Sequence, residues 1–208
     1  MVYFRSDILL IMYGVIDSQS KGRNTAIQIF IATVPIIALG GLAFLTGIVD
    51  HFRNIQVIAL STIIFGIVLY YADIQNDKKT KTIDELKIGE SVIIGLFQVL
   101  AIIPGTSRSG IVYSGGRFLN ISRIEALKFA MLLSIPTILL SAFIPTYKFI
   151  KNPSSEFLLM GTVGFIVSFA TAYVSISLLM SWVRKFSMMP FVVYRIILGS
   201  ILLIYSIV

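Results

Sequence analysis

Residues 104 to 110 read Pro-Gly-Thr-Ser-Arg-Ser-Gly, a string in which every member has a use at an anion site. Pro104 ends a helix and removes a backbone donor, while Gly105 and Gly110 permit conformations that other residues resist. A turn built this way can aim the amides of Gly105, Thr106 and Gly110 at one point, and the amino end of a following helix adds partial positive charge. Ser107 and Ser109 contribute hydroxyl donors, and Arg108 a planar fork that fits two phosphate oxygens at once. The chemistry favoured is binding of phosphate or carboxylate. A duller alternative stands beside it: a loop at a membrane surface, with Arg108 touching lipid phosphates and the serines capping the next helix.

Other polar residues lie in apolar surroundings. Arg195, beside Tyr194, sits about one and a half turns into the last apolar run. It reads either as a second phosphate ligand or as a side chain snorkelling to the boundary. Arg123 is a further phosphate contact to test. Ser122 and Glu125 have the spacing of a capping box, the preferred role for Glu125. Gln98, before the loop, is expected to brace it or to bond a neighbouring helix. Glu90 suits compensation of a helix dipole better than metal binding. His51, beside Arg53 in a tight turn, reads as interfacial. Ser168, Thr171, Ser175, Ser177 and Ser181 resemble a small-residue helix-packing face.

The elements that must position these groups belong in a membrane. Hydrophobic residues make up 57% of the chain and charged ones 13%, too few to coat a soluble domain. Several runs approach the roughly 20 apolar residues needed to cross a hydrocarbon core of about 30 Å. The net charge of +7 sits in short clusters between apolar runs, so it argues for membrane orientation and not for nucleic acid. With no cysteine and a single histidine, thiolate chemistry and histidine-rich metal sites are excluded.

The fold expected is all-α, a polytopic membrane helix bundle in a single domain. Crossings are expected over 27–49, 55–71, 126–147, 157–182 and 190–207, preceded by a short run at 8–16. The first two should form a hairpin, with Pro35 as a kink and Gly40-Gly41 permitting close helix approach. The segment 73–87, with Lys78, Lys79, Lys81 and Lys87, reads as a solvated loop on the side of Lys21 and Arg23. Arg117, Arg123 and Lys128 form a basic cluster that suggests the same, cytoplasmic side. The apolar runs 91–103 and 111–119 are too short to span, and read as a re-entrant helix pair meeting at the 104–110 loop.

At that loop the sequence resembles the bacterial undecaprenyl-diphosphate phosphatase family, also called bacitracin-resistance proteins, whose second signature reads Pro-Gly-x-Ser-Arg-Ser-Gly. The surroundings match too: Gly95-Leu96-Phe97-Gln98, Gly115-Gly116, Ile121-Ser122-Arg123, Leu132 to Pro136, Pro190-Phe191 and Tyr194-Arg195. The resemblance covers essentially the whole chain and is weakest before Thr25. It implies hydrolysis of undecaprenyl diphosphate to the monophosphate, recycling the lipid carrier of cell-wall synthesis at the bacterial plasma membrane and conferring bacitracin resistance.

It also implies a divalent cation, magnesium or calcium, and a fold of interlocked inverted repeats. Arg108 would hold the phosphoryl group, and the loop amides, Ser107 and Ser109 would donate to it. The partners implied are the polyprenyl diphosphate substrate and membrane lipids; a homo-oligomer is left open. The family's first motif, a helix with two glutamates followed by Pro-x-Ser-Ser-x-Gly-His, has no counterpart in residues 1 to 100. The acids for the cation are therefore expected to be absent from this chain. Two alternatives remain: a polyprenyl-phosphate transporter or flippase, since half-helices aimed at an anion also describe transporters, and an inactive truncated relative.

Overall fold

The computed structural model describes residues 2–17, 19–20, 22–75, 80–151 and 155–207. Lys21, Lys78 and Lys79 lie outside the described residues. The chain is all-α. A short α1 (Arg5–Ile16) precedes α2 (Arg23–Pro35), a π-turn (Ile36–Gly40), α3 (Gly41–Leu45) and α4 (Ile48–His51). Then come α5 (Ile55–Asp73), α6 (Ile88–Val99), α7 (Arg108–Phe118), α8 (Arg123–Lys151), α9 (Ser155–Val183) and α10 (Met189–Tyr205). Among the described residues the one β-type pairing is an isolated bridge between Lys81 and Ile121.

Arg23–Leu45, Ile55–Asp73, Arg123–Phe143 and Met160–Val183 are long and apolar enough to cross a membrane, which makes the chain multi-pass. The crossing expected over 190–207 is α10, whose 17 residues rise about 26 Å, slightly less than a hydrocarbon core. The α6–α7 pair is re-entrant. Its turn is gripped by α5, where the Ser61 hydroxyl donates to the Pro104 carbonyl and the Thr62 hydroxyl lies 3.4 Å from the Gly105 carbonyl. Ser61 lies twelve residues before the end of α5, about 18 Å along a helix of 19 residues, so the turn sits at membrane depth.

Packing departs from the sequence expectation in several places. The helices α2 and α5 do not form a hairpin. The re-entrant pair stands between them, α2 packing on α6 while α5 packs on α7 and, most extensively, on α10. Gly40 and Gly41 are not a close-approach site. A side chain added at Gly41 would meet nothing, and one at Gly40 only the Ile36 and Ile102 side chains. The close approach is at Gly95, where an added Cβ would lie 2.6 Å from the Ala32 carbonyl oxygen and 2.9 Å from Pro35. Nor does the small-residue series on α9 pack, since Ser168, Thr171, Ser175 and Ser181 are exposed. Small residues permit a neighbour without supplying one, and α9 is held through its end, where Met180 and Val183 are buried.

The polar end of the bundle is more ordered than a solvated loop. Ile83 and Leu86 are buried, a 3-10 turn (Ile83–Glu85) is capped reciprocally by Thr82 and Glu85, and Lys81 pairs with Glu90 at 2.6 Å. Lys81 also exchanges backbone bonds with Asn120 and Ser122, which brings the Lys81 segment to the same end as the Arg123 cluster. Arg117 is not a surface charge. It is fully buried and donates to the carbonyls of Ile121 (2.8 Å) and Gln75 (2.6 Å), locking the end of α7 to that of α5.

Candidate functional site

The loop's conformation follows from its residue types. Gly105 has φ +92°, and a Cβ there would lie 2.3 Å from Ser61 Oγ and 2.6 Å from the Ile58 carbonyl oxygen. Only glycine satisfies both the backbone and the space. Ser107 also has positive φ, +67°, which is costly for a serine, and it is the N-cap of α7: its Oγ accepts from the Gly110 amide at 3.4 Å. The first turn of α7 therefore presents its amino end beside two serines.

A cleft of about 310 Å³ opens on this end. Its polar rim is Ser107, Ser109, Gly110, Tyr113, Tyr194 and Arg195, and its remaining walls are Leu69, Leu127, Leu179, Met188 and Phe191. Arg195 does not snorkel. It is 8% exposed, and its Nη2 donates to the Gly105 carbonyl at 2.8 Å and the Thr62 carbonyl at 3.3 Å. A side chain added at Gly110 would lie 3.8 Å from Arg195 Nη1, so the guanidinium reaches the loop from α10. Hydroxyls, an amino-terminal helix turn and a guanidinium converge at one end of an otherwise apolar groove, an arrangement suited to a phosphate carried on a hydrocarbon chain.

The other residues singled out in the sequence are placed elsewhere. Arg108 is not a wall of this cleft. It faces a second cleft of about 400 Å³ with Ile36, Ile37, Gly40, Gly41, Phe44, Leu140 and Ser141, where its Nη1 donates to Thr137 Oγ1 at 3.1 Å. The cause is helical phase: Arg108 and Ser109 are adjacent at the start of α7 and point about 100° apart. The loop is thus the partition between two clefts. Thr106 is buried away from both, and its hydroxyl finds no partner. Gln98 is fully buried, but neither end of its amide makes a hydrogen bond, so it does not brace the loop through one. Arg123 turns to Asp73, with Nε 3.0 Å from Oδ1, instead of to the cleft. Ser122 caps α8, accepting from the Glu125 amide at 3.3 Å, but the capping box is not completed: the Ser122 amide donates to the Lys81 carbonyl, and the Glu125 carboxylate accepts from the Ile83 amide, brought there by the Lys81 segment. Glu90 caps α6 through the Lys87 amide. His51 is exposed in the turn where Arg53 pairs with Asp50.

A divalent cation is not fitted by this donor set. Among the described residues the 310 Å³ cleft has no carboxylate or imidazole in its walls, and no cluster of three or more such groups occurs. Among the described residues four acids are engaged elsewhere: Asp7 with Lys128, Asp84 with the Thr25 hydroxyl, Glu90 with Lys81, and Asp73 with Arg123.

Comparison with known proteins decides the family. Residues 1–201 match the family described as Bacitracin resistance protein BacA. The chain belongs to this family. Its relatives there include an undecaprenyl-diphosphatase of Saccharophagus degradans, 38% identical over 203 residues, which cover 96% of this chain and 76% of the relative. Another, from Dinoroseobacter shibae, is 38% identical and covers 99% of this chain and 78% of the relative. A third, from Campylobacter concisus, is 36% identical, with 97% and 77% covered. All three carry the name undecaprenyl-diphosphatase.

Proposed function

We propose that this chain is an undecaprenyl-diphosphatase, a membrane hydrolase that converts undecaprenyl diphosphate to undecaprenyl phosphate and inorganic phosphate in the bacterial plasma membrane. The observation that carries the reading, beside the family, is the amphiphilic cleft: Ser107, Ser109 and Arg195 gathered about the loop, with Leu127, Leu179 and Phe191 among its apolar walls. The diphosphate is held at the loop, where the Ser107 and Ser109 hydroxyls donate to it and Arg195 balances its charge. The prenyl chain follows the apolar walls towards lipid. Water adds at the terminal phosphorus, the bond to the bridging oxygen breaks, and the lipid keeps that oxygen as monophosphate. Preorganised donors around the phosphoryl group lower the barrier chiefly by positioning and charge stabilisation. Among the described residues the walls offer a cation no acid, so charge stabilisation falls to Arg195 and the loop donors. Arg108, in the neighbouring cleft, acts on this site through the loop it shares.

The transport alternative draws no support from the relatives, which are named for hydrolysis. The test is phosphate release from undecaprenyl diphosphate by the purified chain in lipid vesicles, with Arg195→Ala and Ser109→Ala as variants. Release that both variants abolish upholds the reading. Binding of the lipid without release by any form would turn it towards transport.

A further inference from the structure

One buried acid takes no part in holding the phosphate. Asp73, the last residue of α5, is 3% exposed and surrounded by donors. Its Oδ1 accepts from the Tyr113 hydroxyl and, at 3.0 Å, from Arg123 Nε, while its Oδ2 accepts from the Met188 amide at 2.8 Å. Its backbone carbonyl accepts from Arg123 Nη2 at 2.8 Å. Two of these donors, Tyr113 and Met188, are themselves walls of the cleft. Tyr113 lies one turn after Ser109 on the same face of α7. Met188 immediately precedes α10, less than two turns before Arg195. One carboxylate therefore joins the helix that presents the serines to the helix that presents the guanidinium.

We propose that Asp73 is the positioning residue of the site, fixing α7 against α10 so that Ser109 and Arg195 meet one phosphoryl group. This rests on the phosphatase reading above. An acid is needed because both oxygens must accept. An amide would take one donor and set its own N–H against the other, and alanine would leave the Tyr113 hydroxyl and the Met188 amide buried without a partner. Arg123 supplies the counter-charge, its Nε 3.0 Å from Oδ1, and a satisfied buried network of this kind is stiff. Asp73 does not reach the substrate; it acts through Tyr113 and Met188.

The experiment uses the full chain in phosphatidylethanolamine–phosphatidylglycerol vesicles with undecaprenyl diphosphate, comparing Asp73→Asn, Asp73→Ala, Tyr113→Phe and Thr25→Ala. Thr25 ties α2 to Asp84 at the same end of the bundle, away from the cleft, and so controls for loss of stability alone. The chain has no cysteine, so spin labels on cysteines introduced at exposed Phe118 and Val193 report the spacing of α7 and α10 without interference. Asp73→Asn is expected to lower kcat per folded molecule on the order of 10²-fold, as misplacement of reacting groups does, with KM moved only a few-fold and the label distances broadened. Tyr113→Phe should lose less, and Thr25→Ala should keep kcat. Wild-type kcat per folded molecule in Asp73→Asn, or a label distribution as narrow as wild type, overturns the proposal. If the unaltered chain releases no phosphate, the phosphatase reading falls, and the label distances alone decide whether Asp73 sets α7 against α10.

Discussion

Replacing Gly105 by alanine is the smallest change that should disable the site. The added methyl group would lie 2.3 Å from Ser61 Oγ, 2.6 Å from the Ile58 carbonyl oxygen and 2.8 Å from Thr62 Oγ1, all well inside the 3.4 Å at which ordinary contact begins. The Ser61 hydroxyl can rotate, at the loss of its bond to the Pro104 carbonyl, but the Ile58 carbonyl is part of α5 and cannot. The loop must therefore withdraw from α5. Its φ of +92° adds strain for any residue with a Cβ, of roughly 1–3 kcal/mol. Withdrawal also pulls the Gly105 carbonyl from Arg195 Nη2, now 2.8 Å away, a charge-assisted bond worth about 1.5–3 kcal/mol. Together these predict a chain about 2.5–6 kcal/mol less stable. Phosphate release should fall by about 10² or more per folded molecule, since the serines and the guanidinium no longer share one geometry. Unfolding in detergent and phosphate release from vesicles measure the two effects separately. A Gly105→Ala chain of wild-type stability and activity would refute the account of how α5 holds the loop.

Arg195→Lys should behave much like Arg195→Ala, losing about 10²-fold or more in kcat/KM, because one ammonium cannot bond the Thr62 carbonyl as Nε does and the Gly105 carbonyl as Nη2 does while leaving a third nitrogen, Nη1, towards Gly110. Arg117→Met should lower stability by roughly 2–4 kcal/mol, through two carbonyls left without their charged donor, while kcat per folded molecule is retained. Gly199→Val should force α10 off α5, since even a Cβ there would lie 2.6 Å from Ile63 Cγ1 and 2.9 Å from the Ala59 carbonyl oxygen; thermal unfolding should show a loss of about 1–3 kcal/mol. Magnesium or calcium titrated into the lipid-free chain by calorimetry should give no saturable site, and a stoichiometric isotherm would contradict the donor inventory of the described residues.

The loop was legible in the sequence because proline and glycine act locally: Pro104 and Gly105 mark the turn whatever surrounds them. The re-entrant pair was legible from length alone, the two runs being too short to span, and Ser122 announced the start of α8. Asp73 was not legible. It follows an apolar run and precedes a charged segment, the pattern of a residue entering water, and its burial depends on Tyr113, Arg123 and Met188, which lie 40, 50 and 115 residues away. Arg117 misled for the same reason, since its partners are backbone carbonyls that carry no sequence signal. Which cleft Arg108 enters depends on the rotational phase of α7, and one residue of phase separates it from Ser109. The glycines show the limit most simply. Gly40-Gly41 and Gly95 offer equal room, and only the neighbour that arrives decides which is used.

The interposed re-entrant pair also sets an order of manufacture. Within this chain α2 and α5 are made before α6 and α7, so the faces they later give to the half-helices are uncovered at that stage. Apart from α1, which packs on α2, the partners they keep include elements made later: α6 for α2, and α7 and α10 for α5. Any early association of the two spans must part to admit the half-helices, and α5 waits for α10 before its largest contact forms. The largest contact of α5 is therefore the last to close, and a chain stalled between α7 and α10 would leave that face of α5 uncovered.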